Sequence, residues 1–257
     1  MYQQGMELSQ TSSFDTASYM KRKIDGLNET RGNLTGYDCP ICLNRGFIAY
    51  SNGMEIMNRR CECMKARKSL KLIKKSGLDH MLRECTFQRY KVNEAWQGAV
   101  LRSAKEYLNS PDGSWFMMAG SSGAGKTHIC TAVCGELLNR CHEVRYMLWL
   151  DDSQKLKAAK TDEKYESLIK PFKEAEVLYI DDFFKMKRGS EIKDTDVRLA
   201  YEILNYRYTD PKKRTILSSE WTLEQIIDAD QALGGRIREK TRGYYVLLTG
   251  NKDWRLR

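Results

Sequence analysis

The run Gly120-Ser121-Ser122-Gly123-Ala124-Gly125-Lys126-Thr127 fits the pattern G-x-x-x-x-G-K-[ST], and it narrows the possible folds more than any other stretch of the chain. The pattern has physical meaning only between a strand and a helix. Trp115-Phe116-Met117-Met118-Ala119 reads as a short buried strand, and Thr127 to Asn139 carries Val133, Leu137 and Leu138 at helical spacing. In that setting the glycines let backbone N–H groups close on phosphate oxygens. Lys126 places a point charge on the β and γ groups, and Thr127 offers its hydroxyl to Mg2+. The implied ligand is ATP, held by Gly120 to Thr127 with His128 directly after. A chance glycine turn would not account for both flanks.

A phosphate loop alone implies a nucleotide without implying hydrolysis. A second motif supplies the acids: Glu176-Val177-Leu178-Tyr179-Ile180-Asp181-Asp182 is an apolar strand ending in two carboxylates. With the loop upstream, Asp181 is placed in the Mg2+ shell, and Asp182 is placed to orient or deprotonate the attacking water. Paired acids at a strand end could also cap the next helix, which would be the leading reading if the loop were missing.

At 257 residues the chain exceeds a usual single domain, so an ATPase core plus a smaller appendage is expected: residues 1–80 as an N-terminal arm and zinc-binding region, 81–257 as the ATPase. No apolar stretch approaches the roughly twenty residues that cross a bilayer, and no signal core follows the N-terminus. The expectation is a soluble cytoplasmic protein without a membrane partner. The formal charge of +9 is concentrated in two places. Arg59 to Lys75 contains Arg59, Arg60, Lys65, Arg67, Lys68, Lys71, Lys74 and Lys75 against Glu62; the last 22 residues hold seven bases against Glu239 and Asp253. Both are candidate phosphate-backbone contacts, although most lysine-rich stretches are simply solvated helix faces.

Cys39-Pro40-Ile41-Cys42 and Cys61-Glu62-Cys63 form two short ligand pairs with eighteen residues between them. Four thiolates at this spacing suit tetrahedral Zn2+ in a closed, structural site. Gly46 to Tyr50 and Glu55 to Met57 can form a hairpin turning at Ser51-Asn52-Gly53, which would bring the pairs together. A basic helix then runs to about Ser76 and stops at Gly77. Residues 1 to about 35 are polar and read as an arm or a helix that orders on a partner. Cys85, Cys130, Cys134 and Cys141 read as small buried hydrophobes.

In the core, Asn93 is expected to cap a helix through Leu108 with Trp96, Val100, Ala104 and Leu108 inward. Val144 to Leu150 reads as a strand, and Asp151 or Asp152 opens a long helix through Phe172. A helix from Thr195 to Tyr208 and strands Arg214 to Ser219 and Tyr244 to Leu248 follow. The alternation implies an α/β parallel sheet covered on both faces, its ligand at the carboxyl ends of the strands where Lys126, Asp181 and Ser218-Ser219-Glu220 would gather.

Several strings together carry a resemblance: Cys85-Thr86-Phe87-Gln88-Arg89-Tyr90, GSSGAGKT, VLYIDDFFK, EILNYRY with TILSSE, and LGGRIREKTRGYYV. Over residues 80 to 257 the chain resembles the DnaC/DnaI/IstB-like branch of AAA+ ATPases, and its cysteine region is similar to the zinc modules of some of these loaders. The resemblance implies a P-loop NTPase of the AAA+/ASCE kind without a C-terminal lid. It implies Thr86 to Tyr90 near the adenine, with Phe87 and Tyr90 in contact. Ser219 or Glu220 is implied at the sensor place; Ser219 is preferred because a carboxylate beside a triphosphate is repulsive unless a cation intervenes. Arg236, with Arg238 and Lys240 as alternatives, is implied as a finger reaching a neighbouring subunit, so hydrolysis is expected to be weak until the chain self-associates into an ATP-dependent oligomer. Arg255 is left for any further sensor part.

The function so implied is an ATP-dependent loader that binds a replicative DNA helicase and single-stranded DNA, with Lys185, Lys187 and Arg188 as strand contacts. A transposition helper acting on double-stranded DNA is the alternative. A small-molecule phosphotransferase and a zinc-dependent nucleic-acid binder with a structural ATP site are two further classes.

Overall fold

The computed structural model describes residues 15–185 and 191–250. The chain divides into two units, Met1–Met64 and Lys65–Arg257. In the smaller one, helix α1 (Thr16–Glu29) begins at Asp15, whose carboxylate accepts from Ala17 N at 3.1 Å, and it buries none of its residues. Met20 and Ile24, one turn apart, are only partly covered. Asn28 fastens its end to the following strand, donating to Ala49 O and accepting from Ala49 N. Strands β1 (Phe47–Ser51) and β2 (Ile56–Arg60) pair as the antiparallel hairpin expected from Ser51-Asn52-Gly53. The Asn52 side chain accepts from Met54 N and Glu55 N, and Gly53 takes φ +96, so the turn chemistry is local.

The basic run is helix α2 (Cys63–Lys75), which stops at Gly77 with φ +71. Its residues from Lys65 onward, grouped with the cysteines in the sequence reading, belong to the larger unit: Ser69 Oγ accepts from Val144 N at 2.9 Å, and Lys68 pairs with Glu143 at 2.8 Å. Helices α3 (Asp79–Glu84) and α4 (Ala95–Tyr107) follow. The cap of α4 is Glu94, not Asn93, because Gln97 closes a capping box on it. Buried Gln97 occupies the inward turn expected of Trp96, whose indole stays half-buried and bonds Glu94.

Strand β3 (Phe116–Gly120) leads through the loop to α5 (Lys126–Asn139). This helix is buried nearly all round, with Ile129, Cys130, Thr131, Val133 and Cys134 as inaccessible as Leu137. The one-sided pattern read from the sequence was thus too narrow. After β4 (Val144–Leu148), the expected single helix is two, α6 (Trp149–Ala158) and α7 (Tyr165–Glu174). Helix α6 starts before the acids, with Asp152 reaching back to accept from Leu148 N at 3.0 Å. The break falls at Thr161-Asp162, where Asp162 Oδ1 takes Lys164 N at 2.8 Å; a short polar side chain competes with helical bonding there. Strand β5 (Val177–Phe183), α8 (Asp194–Tyr208), β6 (Arg214–Ser219), α9 (Leu223–Ala229), α10 (Gln231–Lys240) and β7 (Tyr245–Leu248) complete the order.

The five strands β3 to β7 form one parallel sheet in the order β4-β5-β6-β3-β7. Strand β6 therefore lies between the two motif strands, β3 and β5. On one face Met117, Ala119, Leu178, Ile180 and Leu217 pack into a core with Trp149, Ile169, Phe172, Ile203, Leu204, Ile226 and Ile237 of α6 to α10. Alpha-helix α5, with α3 and α4 against it, covers the other. Among the described residues no helix is long and apolar enough to cross a membrane.

One buried cation ties this arrangement together. Arg207 of α8, fully inaccessible, donates to Phe172 O, Lys173 O and Ala175 O at 3.1, 3.2 and 2.7 Å, to Arg214 O at 2.6 Å and to Thr215 Oγ1 at 3.0 Å. Three of these acceptors are at the C-terminal end of α7, where carbonyls have no helical partner and the dipole favours a cation. Burial brings the guanidinium down to about 9, so it remains charged at neutral pH. Arg207→Leu is expected to lower unfolding stability by about 3–5 kcal/mol, because the carbonyls are left buried and unmet. A urea midpoint unchanged by the substitution would refute this account.

Candidate active site and metal centre

The four cysteines Cys39, Cys42, Cys61 and Cys63 are buried, and their sulfurs all lie within 4.8 Å of one another. Cys39 and Cys61 are 3.8 Å apart and Cys42 and Cys63 3.6 Å. Zn–S bonds of about 2.3 Å in a tetrahedron put sulfurs about 3.8 Å apart, so the set fits Zn2+. The knuckle after Cys42 supports it: Leu43 and Asn44 take φ +47 and +67, Asn44 Oδ1 accepts from Cys39 N at 2.9 Å, and Gly46 N donates to Cys42 Sγ at 3.3 Å. Burial alone would raise the Cys42 thiol, but the Gly46 N–H and the neighbouring sulfurs bring it down to about 7, which favours a thiolate ligand. Of the other thiols, Cys130 and Cys134 are buried, while Cys85 and Cys141 are half-buried.

The phosphate loop is built as its sequence demands. Gly120 takes φ +110, and a Cβ there would fall 2.1 Å from Leu248 O. Gly125 takes φ +83 as the cap of α5, so the first helical N–H groups face the loop's concavity. Lys126 is buried, and its Nζ donates to Gly120 O at 2.9 Å and Ser121 O at 2.8 Å. Burial lowers its ammonium; Glu220 and Asp182 oppose that.

Thr127 Oγ1 donates to Asp181 Oδ1 at 3.0 Å, which joins the two motifs across the sheet. A hydroxyl and a carboxylate side by side are hard oxygen donors of the kind Mg2+ takes. Asp181 Oδ1 also accepts from Tyr179 OH at 2.6 Å, from Ser218 Oγ and from Asp182 N at 3.2 Å. Sequence reading gathered Ser218 with Asp181 at the strand ends but gave it no role, and it missed Tyr179. Tyr179 had a signal, a polar tip two residues before Asp181 and so on the same strand face. That Ser218 bonds Asp181 directly had none, because only the β5–β6 adjacency sets that contact. Asp182 sits at φ +52 beside a register shift in β5, and its carboxyl is raised by burial first, then by Asp181 and Glu220.

The segment before the core approaches the loop in part. His128 Nε2 meets Thr86 O at 2.8 Å, and Tyr90 stands 5.5 Å from the His128 ring with its Cε2 against Gly125. The Tyr90 hydroxyl is buried with no partner among the described residues, and burial pushes it up to about 12. An unmet polar atom next to the loop fits a nucleotide base. Phe87 is placed differently, lining a cavity of about 400 Å3 with Leu108, Glu136 and Arg140 along the far half of α5.

The preferred sensor hydroxyl is also turned away. Ser219 is inaccessible, donates to Phe183 O at 2.7 Å and accepts from Trp221 N at 3.0 Å. Glu220 faces the loop instead, paired with Lys185; burial is outweighed by Lys185, Ser122 and Lys126, which hold its carboxylate below the usual range. Arg236 lies 4.9 Å over Tyr201 and 5.4 Å over Tyr208 and donates to Ala232 O, while Arg238 is exposed 3.8 Å from Glu224 and Lys240 lies over Tyr208. Lys187, Arg188 and Arg255 fall outside the described residues.

A family model described as IstB-like ATP binding protein matches residues 62–237. The chain belongs to that family. The Phage-like element PBSX protein XkdC of Bacillus subtilis (strain 168) is 32% identical over 225 residues, covering 83% of each chain. The Replicative helicase loader DnaC of Escherichia coli (strain K12) is 24% identical over 194 residues, 74% of each chain. A crystal structure of DnaI matches with TM-score 0.53 at 21% identity, covering 66% of this chain and 93% of that one, and so shares the fold. With its parallel sheet, phosphate loop and second acidic motif, this IstB-like protein is an AAA+ ATPase of the DnaC and DnaI kind.

Proposed function

We propose that this chain is an ATP-dependent loader that delivers a replicative DNA helicase to single-stranded DNA. The observation that carries the reading is a DnaC likeness spanning three quarters of each chain, coupled to a joined Lys126, Thr127 and Asp181 site. In this reading residues 1–80 hold the helicase and 81–257 are the motor. Lys126 leaves its loop carbonyls for the β and γ phosphates, and Thr127 and Asp181 hold Mg2+, which would neutralise charge developing on the phosphates. Asp182 takes the proton of the attacking water; its raised carboxyl suits a base working nearer neutrality. Tyr90 and His128 border the base. Arg236, or Arg238 or Lys240, is supplied across a protomer junction in a homo-oligomer, and the four cysteines hold Zn2+. The expected location is the cytoplasm.

The test is a pull-down of the full chain with the replicative helicase of the genome that encodes it, alongside anisotropy titrations with single- and double-stranded oligonucleotides. A stable helicase complex and about tenfold tighter binding of the single strand are expected. The family match itself favours one rival, a transposition helper. No helicase complex together with a preference for duplex would establish that rival and end the loader reading.

A further inference from the structure

We propose that Lys185, clamped by Glu220, is a second lysine of the phosphate site, acting in cis on the γ-phosphate where a polar sensor residue would otherwise stand. The assignment rests on the phosphate-loop site described above. Lys185 Nζ bonds Glu220 Oε1 and lies 3.9 Å from Asp182 Oδ1. Glu220 in turn faces the loop, where, against burial, Lys185, Ser122 and Lys126 hold its carboxylate below the usual range. The pair therefore bridges the loop and the acid expected to activate water. This resolves the problem of a carboxylate beside a triphosphate, because Glu220 faces the site already neutralised by a cation.

The backbone that delivers Lys185 is costly. After β5 the chain makes a turn in which Lys185 N bonds Asp182 O at 2.8 Å, with Asp182 at φ +52 and Phe184 at φ +59. Non-glycine residues adopt that region only under constraint from their surroundings. Phe183 and Phe184, both inaccessible, stack at 4.0 Å and pack edge-on against Trp149 at 5.0 and 5.3 Å, and Trp221 Nε1 holds Phe184 O at 2.9 Å. The half-exposed Lys185–Glu220 pair itself adds little to stability. The buried aromatics hold the turn, and the turn so held carries the Lys185 ammonium to Glu220 and Asp182 beside the loop. A strand-contact role, the sequence reading of Lys185, would leave the clamp by Glu220 without purpose.

The experiment measures steady-state turnover, affinity for ATP-γ-S and for ADP, and affinity for a single-stranded oligonucleotide, all on the full chain with Mg2+. Lys185→Ala is expected to lower kcat on the order of 10²-fold and to erase about tenfold of the preference for the triphosphate, leaving ADP affinity in place. Lys185→Arg should recover most of the lost turnover. Glu220→Gln should lower kcat less, and the double variant should match Lys185→Ala, since both act through one ammonium. Unchanged turnover with lost oligonucleotide binding would overturn the proposal in favour of a DNA contact. Equal loss of both nucleotides with a lower melting temperature would overturn it in favour of a structural role. If the unmodified chain binds neither nucleotide, the phosphate-loop site itself fails, and this assignment goes with it.

Discussion

Lys126→Ala is expected to weaken Mg-ATP binding at least 10²-fold and to bring turnover below detection. The side chain is buried at the start of α5, and its ammonium is held by the carbonyls of Gly120 and Ser121, two residues of the loop that must receive phosphate. A triphosphate offers the same ammonium charged oxygens, and charge-assisted bonds of this kind contribute about 1.5–3 kcal/mol each. Two of them correspond to a loss of 10² or more. Removing the charge also leaves the first loop carbonyls without their donor, so a modest fall in melting temperature should accompany the loss. Titration calorimetry reads the affinity directly. Nucleotide binding that survives the substitution at near-normal strength would show that the loop is not the phosphate cradle.

Removal of metal from the four-cysteine centre should unfold the smaller unit and spare the larger. Among the described residues up to Met64, the buried side chains are the four cysteines, Ala49 and Asn44. Helix α1 buries nothing, and the hairpin strands are five residues each. Such a module has almost no apolar area to offset chain entropy, whereas structural Zn2+ supplies an apparent 10–16 kcal/mol. Cys42→Ser, or exhaustive chelation, is therefore expected to release one zinc per chain and to abolish amide-exchange protection along β1 and β2. Protection in β3 and β5 should persist, because the Arg207 and sheet contacts do not depend on the cysteines. A metal-free chain that keeps the hairpin protected would contradict the assignment.

What could be read from the sequence is what short-range chemistry dictates. The phosphate loop, the Asn52-Gly53 turn and the stop of α2 at Gly77 depend on residues within a few positions of each other, and each is where it was expected. The break between α6 and α7 was equally local, yet missed: Lys160 to Lys164 is wholly polar, and the Asp162 side-chain bond that ends the helix is there to be read. Sheet order could not be read at all. Tyr179 meets Asp181 from its own strand, but Ser218 and Thr127 reach it through the order β5-β6-β3. The same order explains Ser219 and Glu220. Strand alternation sends one side chain inward and its neighbour toward the loop, and which was which depended on a register that residue types do not encode. The need for a cation beside Glu220 was legible from charge alone. Its identity required the left-handed turn at Asp182.

The last described strand is sewn to the nucleotide loop. Ser121 N donates to Leu248 O at 3.0 Å, Ser121 Oγ donates to Gly250 O at 2.8 Å, and Gly120 leaves no room for a side chain against Leu248. Tension applied at residue 250 is therefore delivered to the first two residues of the cradle without an intervening hinge. Occupancy of the cradle and the mechanical load on that strand are two readings of one joint.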